Sequence, residues 1–353
     1  MNYYICEGKI ENISKYNAGS KALQDVEHIL NDINFKPFFI NSIHRKSNKK
    51  ILRPLRFIKF FINYFIWKKS FNELESGDLI VIQYPLHNRV IGLDKIIKKY
   101  TKKINIVLLI HDMESIRRVK VSKNFISDEK KIIKSCDYVI SHNEIMSEKI
   151  KEIGVDKSKI VNLELFDYIC KENKKKSNNN PEKIIAYVGN LIQSKAPFIS
   201  QIEDDKINFI LKLFGKGIDG NISNKVLYCG AYMPDELPEK LQADLGLVWD
   251  GNIDESDENT SYKKYTKYNN PHKLSCYIAA GLPVIVWRKS AAAQFVNKYN
   301  IGYTISNLYD INNLDFSDYE EKLKNVSVIQ KKVCNGKFTK DAINKILAKI
   351  KDN

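Results

Sequence analysis

Short apolar runs alternate with helix-like segments in the first half of the chain. The runs occupy residues 3–6, 37–40, 79–83, 104–110, 138–141 and 160–163, and helical patterns cover residues 21–30 and 93–99. Strands that are apolar along their whole length are buried on both faces, and strands separated by helices form a parallel sheet with crossover connections. The pattern predicts a Rossmann-like domain over residues 1–170.

The same alternation returns in the second half, with apolar runs at residues 184–188, 209–214, 226–228, 245–249, 283–287 and 302–305. Residues 171–183 (KENKKKSNNNPEK) lack apolar side chains and predict a hydrated linker. We therefore predict a second Rossmann-like domain over residues 184–336, followed by a C-terminal helix within 337–353. Two such halves imply a cleft between them, with ligands beyond the carboxyl ends of the strands.

Composition is that of a globular protein: 43% of the 353 residues are hydrophobic, enough for two domains. The six cysteines show no paired metal spacing and predict reduced, buried thiols. Because the N-terminus enters a strand-like stretch without a signal sequence, we predict a cytoplasmic protein. The net charge of +15 accompanies Lys and Asn enrichment throughout the chain, and no nucleic-acid motif is present, so we predict no nucleic-acid partner.

The longest apolar stretch, residues 57–67 (FIKFFINYFIW), is too short to span a bilayer, which takes about 20 apolar residues. Two interpretations fit it. It is a core helix with basic ends, which we prefer, or a helix that lies on anionic lipid at the inner face of the membrane. The basic residues that flank or interrupt it are Arg53, Arg56, Lys59, Lys68 and Lys69.

The segment 265–291 carries the clearest chemical signal in the second half. Asn269 and Asn270 suit a helix N-cap, and Pro271 suits the first helical position. The unpaired N–H groups and the dipole of a helix N-terminus bind anions such as a diphosphate, and nearby Lys and His side chains would add positive charge. Ordinary helix capping explains the same spacing. The candidate donor-binding residues here are Lys267, Tyr268, Asn269, Asn270, His272 and Lys273.

Several further motifs carry a resemblance to a known family. They are NAGSKA at 17–22, GDLIVIQYP at 77–85, IHDMESIR at 110–117, YVGNL at 187–191, FGKG at 214–217, YCGAYMPDELP at 228–238 and GLVWDG at 246–251. Together with the segment 265–291, they resemble the bacterial GT-B glycosyltransferases that extend glycans on serine-rich adhesins, a group with relatives labelled galactofuranosyltransferases. The resemblance covers nearly the whole chain.

The resemblance implies an α/β fold of the GT-B type, in which two Rossmann-like domains face a cleft and the C-terminal helix crosses back to the N-terminal domain. It implies metal-independent, inverting transfer of a hexose from a UDP-sugar to a sugar acceptor on a glycoprotein or lipid-linked precursor. UDP-glucose is the first candidate for the donor. A galactofuranosyltransferase and a non-catalytic glycan-binding subunit are the alternatives. Homo-oligomeric assembly and peripheral membrane contact are expected as well.

Other donor-site candidates follow strands of the second half. Gly189 and Asn190 would let the backbone approach a ligand, and Lys195 would reach a phosphate. Gly215 begins a G-x-G-x-x-G pattern that lacks the following helix and acidic residue of a dinucleotide site, so we interpret it as a tight strand-to-loop turn near a diphosphate. Tyr232 would stack on uracil or pack on Pro234.

The first half should receive the acceptor. The candidates for contact with the acceptor or the transferred sugar are Gly19, Ser20 and Tyr84. Ser20 also suits a helix cap. Tyr84 would serve either as an aromatic platform for a sugar or as a structural residue.

An inverting transfer needs a general base, for which the candidates are Asp112, His111 and Glu7. Asp112 would equally serve as an N-cap, or pair with Arg117. No D-x-D triplet follows an apolar strand, so we predict neither a metal nor a cofactor.

Overall fold

The computed structural model describes residues 1–7, 18–43, 53–118, 122–172, 182–220, 222–256 and 260–352. The chain divides into two compact units. The first unit consists of the described residues within 1–13, 26–163 and 340–353. The second unit consists of the described residues within 14–25 and 164–339. The predicted linker at 171–183 stays a prediction, because residues 173–181 lie outside the described ranges.

The first unit contains a parallel six-stranded sheet in the order β2-β1-β3-β4-β5-β6. Its strands are apolar where the sequence predicted them, and β3 and β5 are buried along their whole length. The strands are β1 Asn2–Glu7, β2 Lys36–Ile40, β3 Leu79–Tyr84, β4 Asn105–Ile110, β5 Tyr138–Ser141 and β6 Ile160–Asn162. The helices up to residue 152 are α1 Ala18–Asp32, α2 Arg53–Phe71, α3 Leu93–Tyr100, α4 Glu114–Arg117, α5 Lys123–Ser135 and α6 Glu144–Glu152.

The second unit contains another parallel six-stranded sheet, in the order β12-β11-β10-β7-β8-β9. Its strands are β7 Ile184–Asn190, β8 Ile210–Lys216, β9 Val226–Tyr228, β10 Leu245–Val248, β11 Val284–Trp287 and β12 Gly302–Ile305. The later helices are α7 Phe198–Gln201, α8 Leu237–Lys240, α9 Ser261–Thr266, α10 His272–Ala279, α11 Ala291–Tyr299, α12 Tyr319–Cys334 and α13 Lys337–Lys351. The α/β fold class predicted from the alternation is confirmed in both units.

The longest apolar stretch forms most of α2, and the preferred core-helix interpretation holds for one side of it only. Trp67 and Phe71 are buried, whereas Phe61 and Phe65 are each 60% exposed. The pattern could not separate these sides because residues 57–67 are apolar almost all the way round the helix. No helix in the described ranges has the length and hydropathy needed to cross a bilayer.

Candidate functional site

The carboxyl ends of β7 and β8 bring three predicted donor residues together. Gly189 pairs in register with Gly215, and Asn190 pairs with Lys216. A Cβ at residue 215 would lie 1.8 Å from the carbonyl oxygen of Gly189, and both glycines have positive φ, +149° and +153°. Only glycine fits at residue 215. The predicted strand-to-loop turn follows at once, because β8 ends at Lys216 and Gly217 has a φ of +91°.

Lys273, in the first turn of α10, lies in a largely buried polar cluster beside these glycines. Its Nζ is 2.9 Å from Asp250 Oδ1 and 3.0 Å from the Trp249 carbonyl oxygen, and it lies 4.5 Å from the centre of the Tyr187 ring. A Cβ on Gly189 would be 4.0 Å from the same ammonium. The predicted cation is therefore at the end of the sheet, with a carboxylate partner that the sequence analysis did not assign.

The charges of this cluster shift one another's pKa values. Burial lowers the pKa of Lys273, and Asp250 opposes that shift only in part. Burial acts to raise the pKa of Asp250, but the ammonium groups of Lys273 and Lys195 outweigh it, and the pKa falls below its usual value. Lys195 lies next to the same segment, since its carbonyl oxygen accepts the Gly251 N–H at 2.9 Å. The cluster holds two ammonium groups against one carboxylate, a surplus of positive charge beside exposed backbone.

The start of α10 differs from the predicted cap. Pro271 is the N-cap residue, with extended backbone, and its carbonyl accepts the Leu274 N–H at 2.9 Å. Asn270 is buried, and its side-chain amide donates to the Glu164 carbonyl. Because the helix is capped at Pro271, Asn270 lies before the cap, and its side-chain amide serves a tertiary contact. The helix still presents its first N–H groups next to Lys273.

His272 does not add the positive charge that was predicted. Its ring stacks on Tyr168 with centroids 4.9 Å apart, and Nε2 is 3.4 Å from the Asp167 carbonyl oxygen. Burial lowers the pKa of His272 to about 4, despite the opposing hydrogen bond to Asp167. The ring is therefore neutral at pH 7 and packs at the start of the helix.

The remaining donor candidates are dispersed around this cluster. Lys267 follows α9, and its ammonium lies 5.5 Å from the Trp287 ring centroid. Tyr268 is half-buried, and the buried Oδ1 of Asn269 has no hydrogen-bond partner among the described residues. Tyr232 contacts Gly230, whose carbonyl accepts the Gly215 N–H at 2.9 Å. Tyr232 thus lies one strand farther toward the sheet edge, with its ring centroid 6.3 Å from that of Phe214.

Two of the base candidates lie at the end of β4 in the first unit. His111 Nε2 is 2.7 Å from Gln83 Oε1, at the end of β3. The Asp112 Oδ2 atom lies 3.0 Å from a guanidinium nitrogen of Arg117. This ion pair is one of the roles that the sequence analysis predicted for Asp112. The N-cap role for Asp112 is wrong, because α4 is capped at Met113.

A buried histidine next to this pair escaped sequence analysis. His142 directly follows β5, and its Nε2 is 2.9 Å from the His111 carbonyl oxygen. Burial lowers the pKa of His142 to about 4. Its position after an apolar run was the available signal.

Glu7, the third base candidate, holds a loop. Its carboxylate accepts hydrogen bonds from the backbone N–H groups of His87 and Asn88 at 2.8 and 2.9 Å, and from the Asn88 side chain. Burial raises the pKa of Glu7, and these hydrogen bonds oppose the shift. Both carboxylate oxygens of Glu7 are engaged by the N–H groups of this loop, so its contacts favour a structural role.

Tyr84 cannot serve as an exposed sugar platform, because its side chain is buried. Its hydroxyl donates to Glu129 Oε1 at 3.2 Å. The Glu129 carboxylate also accepts the N–H groups of Glu114 and Ser115, both at 3.0 Å, at the start of α4. Tyr84 therefore helps to hold the start of α4 through Glu129. Of the two interpretations of Tyr84, the structural role is the correct one.

The acceptor-loop candidates fall at the start of α1. The helix begins at Ala18, so Ser20 is its third residue and not its N-cap, while Gly19 is its second. Lys21 makes the contacts that the sequence analysis missed: its ammonium is 2.6 Å from Asp25, 2.7 Å from Asp235 and 2.8 Å from the Ile169 carbonyl oxygen. All of these partners belong to the second unit, as does Lys21 itself.

The chain matches two family descriptions in succession. Residues 2–165 match "Glucosyltransferase 3-like, N-terminal domain", and residues 185–346 match "Glucosyltransferase 3-like, C-terminal domain".

Named relatives include Beta-1,6-galactofuranosyltransferase WbbI of Escherichia coli (strain K12), which is 25% identical and aligns over 96% of this chain and 97% of its own length. Glucosyltransferase 3 of Streptococcus parasanguinis is 26% identical over 76% of this chain and 78% of its own.

Solved structures show the same fold at low identity. The lipopolysaccharide outer core galactosyltransferase WaaB, in its apo form, superposes with a TM-score of 0.60 at 14% identity, covering 99% of both chains. Anabaena HepE in complex with UDP and glucose gives a TM-score of 0.56 at 11% identity, covering 98% of this chain and 99% of the other. The fold is thus GT-B, and the chain belongs to the glucosyltransferase 3-like family of glycosyltransferases.

Proposed function

We propose that this glycosyltransferase moves a hexose from a UDP-sugar, with UDP-glucose as the first candidate, to a sugar acceptor on a glycoprotein or surface glycan. The observation that supports the donor assignment is the positive surplus formed by Lys195 and Lys273 against Asp250. It lies beside Gly189, whose missing side chain gives a ligand access to the backbone. Ammonium and backbone N–H groups are the partners that a diphosphate requires.

The same groups stabilise the leaving nucleotide diphosphate. Negative charge develops on that diphosphate as the bond to the sugar breaks, and preorganised positive groups lower the barrier. We therefore propose that sugar transfer needs no divalent cation.

His111 is the general base of the proposal. The Gln83 amide oxygen can only accept, so it favours the tautomer with the proton on His111 Nε2, and in the proposal the imidazole takes the proton of the acceptor hydroxyl. Attack by that hydroxyl on the anomeric carbon, opposite the leaving diphosphate, inverts the configuration. Asp112 is less suited to this role because Arg117 stabilises its charged form.

Galactofuranose transfer is the second candidate, favoured by the match to WbbI along nearly the whole chain. The two donors carry the same UDP group and differ in the sugar, so the diphosphate cluster serves either one. A cytoplasmic location and homo-oligomeric assembly stay predictions.

The test is UDP release from a panel of UDP-sugars that includes UDP-glucose and UDP-galactofuranose, with a GlcNAc-terminated acceptor and excess EDTA. We expect release from one donor, and a loss of at least about a hundredfold in Lys273→Met, in line with the removal of one transition-state partner. Lys331→Met is the matched control, because Lys331 is exposed on α12. Wild-type rates in Lys273→Met, or release that EDTA abolishes, would overturn the proposed donor chemistry.

A further inference from the structure

Helix α2 has two apolar faces, although only one of them packs on the first sheet. The inner face carries Asn63, Trp67 and Phe71, which are 2%, 0% and 0% exposed. The Trp67 indole N–H donates to Ser42 Oγ at 3.0 Å, and Asn63 Oδ1 accepts the Ile43 N–H at 2.8 Å. These contacts fix the rotation of the helix, so its outward side chains are fixed as well.

The opposite side of the helix presents four large apolar side chains to solvent. Ile58, Phe61, Ile62 and Phe65 are 53%, 60%, 39% and 60% exposed. Their spacing of three and four residues places them on one stripe, here called the α2 outer face. Removing large apolar side chains from water is favourable, so a contiguous exposed stripe indicates a surface that is covered in use.

Charge identifies the kind of surface that covers it. No acidic residue occurs between Asp32 and Glu73, a segment that contains the whole of α2 and many Lys and Arg residues. Lys69 is four residues beyond Phe65 and continues the outer face, and Lys59 and Lys68 flank it. An apolar stripe bordered by ammonium groups is typical of a helix that lies in the interface of an anionic bilayer.

We propose that the α2 outer face binds the surface of membranes that contain anionic phospholipids, with Phe61 and Phe65 inserted at the boundary between headgroups and acyl chains. The helix lies in the plane of the bilayer and does not span it. This inference is independent of the proposed sugar transfer, since it uses only described residues of α2. Lysines at the surface of such a membrane add electrostatic attraction to the anionic headgroups.

A second copy of this chain is a less suitable occupant. A twofold interface through the α2 outer face would place Lys59, Lys68 and Lys69 of one copy near the same residues of the other. Those like charges repel, and the segment from residue 33 to residue 72 contains no carboxylate to neutralise them.

The experiment is co-sedimentation of the 353-residue chain with two kinds of liposome. One contains phosphatidylcholine alone, and the other contains phosphatidylcholine with about 30% phosphatidylglycerol. We expect binding to the anionic liposomes that weakens with salt. The double variant Phe61→Ser/Phe65→Ser should reduce the partition coefficient by at least about tenfold. Val328→Ser is the matched control, because Val328 is 58% exposed on α12. UDP release without liposomes should be unchanged in both variants.

Two results would overturn the proposal. One is equal sedimentation of wild-type protein and the double variant, or no sedimentation of the wild type with anionic liposomes. The other is light scattering that shows a wild-type oligomer converted to monomer by Phe61→Ser/Phe65→Ser without any effect of lipid, which would assign the α2 outer face to a second copy.

Discussion

The ring of Tyr277 lies directly on the backbone of Gly246: a Cβ at residue 246 would be 2.2 Å from the Tyr277 Cγ. The Tyr277 hydroxyl also accepts the Val188 N–H at 2.7 Å and donates to the Leu247 carbonyl at 2.9 Å. These contacts join α10 to β7 and β10. They fix the position of Lys273, one turn earlier in the same helix.

Gly246→Ala is expected to destabilise the protein by about 3 kcal/mol, because its methyl group has no room beneath the Tyr277 ring. Urea unfolding measures the change. In a double-mutant cycle, Tyr277→Ala should remove most of the penalty of Gly246→Ala, since the clash needs the ring. Strictly additive losses would contradict this account of the contact.

Asp250→Asn should lower stability by about 3 kcal/mol, because it leaves the largely buried Lys273 ammonium without its carboxylate. Thermal unfolding measures the loss. The control is Asp219→Asn, an exposed carboxylate of the second unit. Restored stability in Asp250→Asn/Lys273→Met, relative to Asp250→Asn alone, would support a paired charge, and no restoration would refute it.

His111→Asn should reduce kcat for UDP release in the presence of acceptor by about 10²- to 10⁴-fold, the usual contribution of a general base. Glu7→Gln tests the alternative base and should reduce kcat much less, since the Glu7 carboxylate holds the loop at His87 and Asn88. Both variants should keep wild-type UDP affinity. A larger kcat loss in Glu7→Gln, with the fold intact, would reverse the assignment.

The buried His142 should make the protein less stable in acid. Its pKa in the folded state, lowered by burial to about 4, is below the ordinary value of 6.5, so the unfolded chain binds more protons between these values. The stability of wild-type protein relative to His142→Asn should therefore fall by about 3 kcal/mol as the pH drops from 6.5 to 4.

Denaturant unfolding across that pH range measures the difference, in which the other titrating groups largely cancel. The matched control is His28→Asn, since the His28 side chain is 60% exposed. A constant difference between wild type and His142→Asn over the range would show that His142 is not held neutral.

The strands of both sheets could be predicted from the sequence because parallel strands are apolar throughout, and the last helix was predicted with its bounds, Lys337–Lys351. The contact partners of individual side chains could not be predicted from the sequence. Asn270 suits a cap in any sequence, but the Glu164 carbonyl, more than a hundred residues away in the chain, takes its amide. Tyr84 follows a strand as a ligand platform would, yet Glu129 takes its hydroxyl. Such choices depend on tertiary contacts that no local pattern encodes.

Every strand pair in each sheet runs parallel, so the segments that follow the strands all leave from one rim. Exposed positions at this rim, such as Asn190 and Lys216, lie outside the hydrophobic interior, so a substitution there leaves the packing beneath it intact. One scaffold can thus change its sugar preference by altering a few rim segments in turn. The fold can therefore stay the same while the residues at this rim, and with them the preferred sugar, differ.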